Sequence, residues 1–339
     1  MDLNGKKVLV TTGGGLGDMI CFMPALRRLK EKYPHCQLTF MTRKGNHEVV
    51  TGLPYLDKVI FIRRGEFLGR YRVLPDFYGQ DAVVFTDWQP QLLMFAKLFG
   101  IPVRAGTPRP GKKMNEFLTY ALQNNVMVSR EYAAETNAKI FSEALGIDLD
   151  GDMTHLEVAP PTDEHIAAAD TLLHSLGLNK AKPYILLSPF TSLRQRDWQI
   201  ETAKRFVEMA QNYYGVPVVT IGAGDRREEA ENISSFNLVG KTSTMQLVAL
   251  IKKAACLVTP DSGPMHVAAA VGTPCVALFG KDLPSRWAPR HNCEVVCLEM
   301  ECAPCPDETV RNCPYDNRCM KAITPEMVLE ACNNVGMRL

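Results

Sequence analysis

The chain has 339 residues, enough for two domains of ~150 residues each, so stability needs no special staple. Its 38 basic and 37 acidic side chains leave a net charge of +1, which argues against a dedicated nucleic-acid binder held by phosphate neutralisation. No segment approaches the ~20 apolar residues that span a bilayer, and the N-terminus carries no signal-type apolar region. The eleven cysteines, an odd number, do not form a secreted disulfide framework, so a reducing cytoplasm is expected.

The first element read from the chain is a strand, Lys7 to Thr11, running into Gly13-Gly14-Gly15. Apolar residues then recur at helical spacing through Ile20, Met23, Leu26 and Leu29 until Pro34. Gln37 to Thr42 reads as the next strand, closing a right-handed βαβ unit, and Val59 to Ile62 and Ala82 to Phe85 read as buried parallel strands. A helix from Glu131 to Leu145 and a strand-like stretch from His155 to Val158 lead to Pro160-Pro161, where the domain boundary is placed. Beyond it come a helix at Asp163 to Leu176, a strand at Tyr184 to Leu187, a helix at Glu201 to Tyr213 and a strand at Val216 to Ile221. Met245 to Lys253 and Met265 to Val271 read as helices, Cys256 to Thr259 and Cys275 to Phe279 as strands. The expected fold class is α/β, with two doubly wound, Rossmann-like domains (1–160 and 161–339) facing each other across a cleft.

Two loops carry chemistry. Gly13, Gly14, Gly15 and Gly17 sit at a strand-to-helix turn, where positive φ and exposed N–H groups would suit an anion or a sugar hydroxyl. Their spacing does not meet G-x-G-x-x-G, and the next strand ends without an acidic residue, which counts against a dinucleotide. Asp18 follows, readable as a helix cap or as a carboxylate at the cleft mouth. In the second half, Asp261-Ser262-Gly263-Pro264-Met265-His266 opens another helix, whose N–H groups suit a phosphate. The loop Thr191 to Trp198 adds two hydroxyls and the guanidiniums of Arg194 and Arg196, whose planar fork suits a diphosphate.

Gly17-Asp18 with Pro24-Ala25-Leu26, the Thr191–Trp198 loop, Gly222-Ala223-Gly224-Asp225, and Asp261-Ser262-Gly263…His266 with Phe279-Gly280 together resemble glycosyltransferase family 9, the ADP-heptose:lipopolysaccharide heptosyltransferases. The resemblance covers nearly the whole chain. It implies the GT-B fold, an acceptor-binding N-terminal domain, a donor-binding C-terminal domain and a terminal helix returning to the first domain. It further implies metal-independent, inverting transfer of a heptose from an ADP-type donor to a glycan such as lipopolysaccharide core. A nucleotide-sugar epimerase or hydrolase, or a non-catalytic nucleotide-sugar-binding assembly subunit, are the alternatives. By the same resemblance Asp18 matches the general base, Gly15 and Gly17 belong to the acceptor-side loop, and Thr191, Ser192 and Arg196 hold the diphosphate. The family usually has lysine at the last of these. Ser262, Gly263 and His266 match diphosphate and sugar contacts, Asp261 a donor-sugar contact, and Asp225, or else Glu228, a ribose contact. Pro264 departs from the pattern by removing one N–H. Arg63, Arg64, Arg104, Arg109, Lys112 and Lys113 read equally as a grip on an acidic acceptor or as a solvated face. The enzyme is expected in the cytoplasm, with peripheral contact at the inner membrane.

Cys302, Cys305, Cys313 and Cys319 give C-x2-C-x7-C-x5-C. Such spacing suits a structural zinc or iron, as in iron-binding relatives, or a reduced, loop-packed cluster, or a disulfide formed on oxidation. No catalytic work is expected of it.

Overall fold

Short runs that are apolar throughout offer no face to water, so they settle between layers of helix as parallel strands. The computed structural model, which describes residues 2–62, 71–126, 129–179, 182–305 and 313–339, has two parallel sheets. Each belongs to one of two units, Met1–Ala159 and Pro160–Leu339.

In the first unit the strands are β1 (Lys7–Thr11), β2 (Gln37–Arg43), β3 (Lys58–Ile62), β4 (Ala82–Phe85), β5 (Val103–Gly106) and β6 (Tyr120–Ala121). Their order is β3-β2-β1-β4-β5-β6. Leu9 of β1 and Val83 and Phe85 of β4 pack with Phe77, Leu92 and Phe95, and the helices Met23–Lys32 and Ala133–Leu145 pack on one another. The single helix expected after the glycine loop is two, Leu16–Ile20 and Met23–Lys32. Pro24 lies in the first turn of the second, where its missing N–H has no carbonyl to serve but would interrupt a continuous helix. The stretch from His155 to Val158 belongs to no sheet; its neighbour Ala159 reaches back through one N–H bond to the Val49 carbonyl at 2.7 Å. The partial alternation of its burial, with Leu156 covered, comes from lying along the surface of the unit.

In the second unit β7 (Ile185–Leu187), β8 (Val218–Thr220), β9 (Cys256–Pro260), β10 (Cys275–Phe279) and β11 (Cys293–Cys297) run in the order β11-β10-β9-β7-β8. Ile185, Leu187, Val258 and Leu278 pack with Phe206 and Val207 of the helix Ile200–Tyr214, and each fully buried side chain of this kind contributes about 1.5–3 kcal/mol. The final helix, Pro325–Asn334, packs on that same helix and on β10 and β11. Val328, Ala331 and Cys332 join the core of the unit, and the Tyr214 hydroxyl donates to the Leu329 carbonyl at 3.2 Å. The apolar face of this helix packs within its own unit.

Each sheet reverses its strand order once, between β1 and β4 and between β7 and β9. At such points the loops leaving the carboxyl ends of the strands diverge and open a crevice.

Candidate functional site

In the first unit the loop after β1 lies at the reversal point, beside the loop after β4. Its glycines serve close approach, since Gly13, Gly14, Gly15 and Gly17 all avoid left-handed φ. A Cβ on Gly14 would stand 2.7 Å from Asp18 Cβ, and one on Gly13 would stand 2.5 Å from Asp87 Oδ2. The N–H groups of the loop have partners within the unit. Gly13 N–H donates to Asp87 Oδ1 at 2.9 Å, Gly14 N–H to Thr12 Oγ1 at 3.1 Å and Gly15 N–H to Asp18 Oδ2 at 2.7 Å. Three side chains of the unit itself have taken these donors, so the loop presents a carboxylate rather than a row of amides. Asp18 is half-buried in the first turn of Leu16–Ile20, so it acts as the cap one reading foresaw. Gly17 is buried behind it.

Of the basic residues considered for an acceptor, Arg63 and Arg64 lie outside the described residues. Arg104 is buried and donates to the carbonyls of Phe117 and Ile101, so it serves the fold of its unit. Arg109, Lys112 and Lys113 are exposed.

In the second unit the loop after β7 carries Thr191 to Trp198 over the reversal point. Thr191 Oγ1 donates to the Leu193 carbonyl at 2.7 Å and accepts from Leu193 N–H at 3.1 Å, so its hydroxyl shapes the loop; Ser192 is exposed. Asp197 accepts from Thr191 N–H at 2.7 Å and meets Arg226 Nη1 at 2.6 Å. Arg226 also forks onto Glu229 at 2.6 and 2.7 Å and lies 4.3 Å over the Phe190 ring. The diphosphate-type loop and the Gly224–Arg226 turn are thereby tied together, which leaves Asp225 and Glu228 exposed at the outer edge. Arg196 points the other way, to Asp282 and Asp261.

The loop after β9 brings Asp261, Ser262, Gly263 and His266 to the same place. Ser262 takes the N-cap position of the helix Gly263–Val271 but does not cap it, sharing its hydroxyl with Thr259 Oγ1 at 2.9 Å instead. Pro264 falls in the first turn, where an N–H has no intrahelical carbonyl to meet. Asp261 Oδ2 lies 3.6 Å from Arg196 Nη1. His266 is 2% exposed and stands edge-on to Trp287, ring centres 6.3 Å apart. Burial, and secondarily the charge on Arg196, lowers its pKa to about 4, so the ring is neutral and acts as a hydrogen-bonding group without charge. A guanidinium, a helix N-terminus and a neutral imidazole at the ends of adjacent strands make a place for an anion that gains charge during reaction.

Cys302, Cys305, Cys313 and Cys319 line one cavity of about 360 Å³, together with Gln195 and Lys281. Arg318 Nε donates to Cys302 Sγ at 3.3 Å, and burial pushes the thiols of Cys305 and Cys319 up. Among the described residues no three His, Cys, Asp or Glu side chains are disposed to hold a metal ion. The four thiols share the wall of this cavity.

Four polar residues escaped the sequence reading: Asp87, Asp197, Arg226 and Asp282. Each acts on a loop distant in the chain, 86 residues away for Asp282, although Asp197 stands within the Thr191–Trp198 loop and Arg226 beside Asp225.

A family model described as glycosyltransferase family 9 (heptosyltransferase) matches residues 93–316. Lipopolysaccharide core heptosyltransferase OpsX of Haemophilus influenzae is 21% identical over 299 residues, covering 86% of this chain and 84% of that protein. A family 9 glycosyl transferase structure from Veillonella parvula superposes with a TM-score of 0.82 at 21% identity, over 99% of this chain and 98% of that one. The E. coli ADP-heptose lipopolysaccharide heptosyltransferase II structure does so with a TM-score of 0.76 at 22% identity, over 97% and 98%. These likenesses establish the fold.

Proposed function

Because the chain belongs to glycosyltransferase family 9, we propose that it transfers a heptose from ADP-heptose to a glycan of the lipopolysaccharide-core type, by one inverting displacement without a metal ion. The names of OpsX and of the E. coli enzyme support the sugar and the acceptor. The observation that carries the reading is Arg196 beside a neutral His266 and the N-terminus of Gly263–Val271, at the reversal point of the second sheet.

In this reading Pro160–Leu339 binds the donor. Arg196 and the turn at Ser262, Gly263 and His266 meet the diphosphate, with Thr191 shaping and Ser192 edging the loop. Asp261 meets the donor sugar and Asp225 the ribose. Met1–Ala159 binds the acceptor, with Gly15 and Gly17 setting the loop that presents Asp18. The Asp18 carboxylate takes the proton of the acceptor hydroxyl as its oxygen bonds to the anomeric carbon. The bond from that carbon to the diphosphate oxygen breaks at the same time, and ADP leaves with the electron pair. Attack opposite the leaving group inverts the centre. Arg196 stabilises the negative charge gathering on ADP. The enzyme works in the cytoplasm, at the membrane face that carries its acceptor. The thiol set takes no part in the transfer; a structural zinc or iron there would be held by Cys302, Cys305, Cys313 and Cys319, which line one cavity.

The test is a thermal-shift panel followed by transfer. ADP at a hundred times its dissociation constant adds ~2.7 kcal/mol of stability and should exceed UDP and GDP at equal concentration. With ADP-heptose and a heptose-deficient core acceptor, mass spectrometry should show one added heptose. Donor consumed equally well without acceptor would point to hydrolysis or epimerisation and overturn the reading.

A further inference from the structure

The turn Arg194–Arg196 carries two arginines of the same length and chemistry, and the structure treats them differently. The Arg194 side chain is 76% exposed and meets Glu229 at 3.5 Å. The Arg196 side chain is 23% exposed and is held on two sides. Asp282 approaches it along one edge of the guanidinium, with Oδ2 2.5 Å from Nε and Oδ1 accepting from Nη2 at 2.8 Å. Asp261 faces Nη1 at 3.6 Å. A side chain with four rotatable bonds is thus fixed before any ligand arrives, the condition under which a donor stabilises developing charge without first reorganising.

Asp282 is 2% exposed. Burying a carboxylate against a guanidinium is a poor route to stability, since the desolvation of both ions offsets their attraction and an apolar pair would often serve as well. Orientation is what the pair supplies. The loop that carries Asp282 is itself held from behind. Lys281 C=O accepts from Cys305 N–H at 2.7 Å, and a Cβ on Gly280 would stand 2.7 Å from Met320 Sδ and 2.8 Å from Cys319 Sγ. Asp282 cannot drift without displacing the cysteine-bearing segment.

We propose that Asp282 is a positioning residue that aims Arg196 at the departing diphosphate, acting wholly through that guanidinium. The inference rests on the donor reading above. Asp282→Asn preserves shape and removes the charge that sets the two-point clasp. It should lower kcat at least about tenfold while the donor KM moves less than about threefold, the signature of a contact that matters mainly in the transition state. A purely structural role would lower Tm and leave the kcat of the folded fraction intact. Arg196→Ala should lower kcat further, and Asp282→Asn added to it should change kcat by less than about twofold, because a residue acting through Arg196 has nothing left to act on. The double variant also removes the uncompensated carboxylate, so it provides a folded comparison should either single variant fold poorly. Full kcat in Asp282→Asn, or losses that multiply in the double variant, overturns the positioning role while leaving the donor reading standing. Wild-type protein that gains no thermal stability from ADP, UDP, GDP or inorganic pyrophosphate removes both.

Discussion

His266 offers a quantitative test of how the second site is built. Its ring is buried, and that burial, helped by the neighbouring Arg196 charge, brings its pKa from 6.5 to about 4. Unfolding restores the ordinary value, so as pH falls the unfolded chain takes up a proton that the native protein refuses. A depressed folded pKa therefore contributes stability that is complete above about pH 6.5 and is lost as pH falls toward about 4. For this one group the linkage relation gives roughly 2 kcal/mol between about pH 7.5 and pH 5, before most carboxylates titrate. His266→Gln keeps a polar side chain of similar reach and cannot charge. Urea unfolding of both proteins across that range should show the wild type losing about 2 kcal/mol more than the variant. Parallel losses would mean that the histidine reaches water, and the picture of a neutral imidazole beside Arg196 would be abandoned.

Asp18 combines a cap and the proposed base, and Asp18→Asn separates them. The amide oxygen can still accept from Gly15 N–H, so Tm should stay within a degree or two while kcat falls at least ~100-fold and ADP affinity is unchanged. Undiminished kcat would remove Asp18 from the chemistry. For the thiol set, anaerobically purified protein analysed for zinc and iron should contain less than ~0.1 equivalent of either if the four thiols lining the cavity rest without an ion. Stoichiometric metal would show that the cavity closes around an ion.

Strands buried on both faces were legible from composition alone. β1, β2, β4, β9 and β10 lie where their apolar runs stand, within a residue or two, because a parallel strand between helix layers has no polar side to disguise it. β5, β6 and β11 were not read. Val103-Arg104-Ala105-Gly106 carries a charge in its middle, β6 has two residues, and Cys293–Cys297 holds a glutamate at the sheet edge. The helix Pro90–Leu98 escaped because its apolar residues are spread around it, with Met94 and Leu98 exposed. At the sites, residues on motifs were found, whereas those that hold the motifs in place were not. Asp87, Asp197 and Asp282 look like any surface aspartate in the chain, and their meaning comes from loops that meet only after the sheets have formed. The glycine loop shows the same limit of pattern reading. Its composition announces a turn that spares side chains, but that its amides are already taken by Thr12, Asp18 and Asp87 is a property of the folded unit.

Two of the three tryptophans follow strands that border the reversal points, Trp88 after β4 and Trp198 at the end of the loop after β7, and the third, Trp287, follows β10 one strand further out. Trp198 is anchored by its indole N–H on the Ile323 carbonyl at 3.1 Å, and Trp287 stands edge-on to His266. Intrinsic tryptophan emission from this protein therefore originates close to its two candidate sites. Fluorescence titration needs no label, and replacing the indoles one at a time separates what happens at the donor loops from what happens beside Asp87.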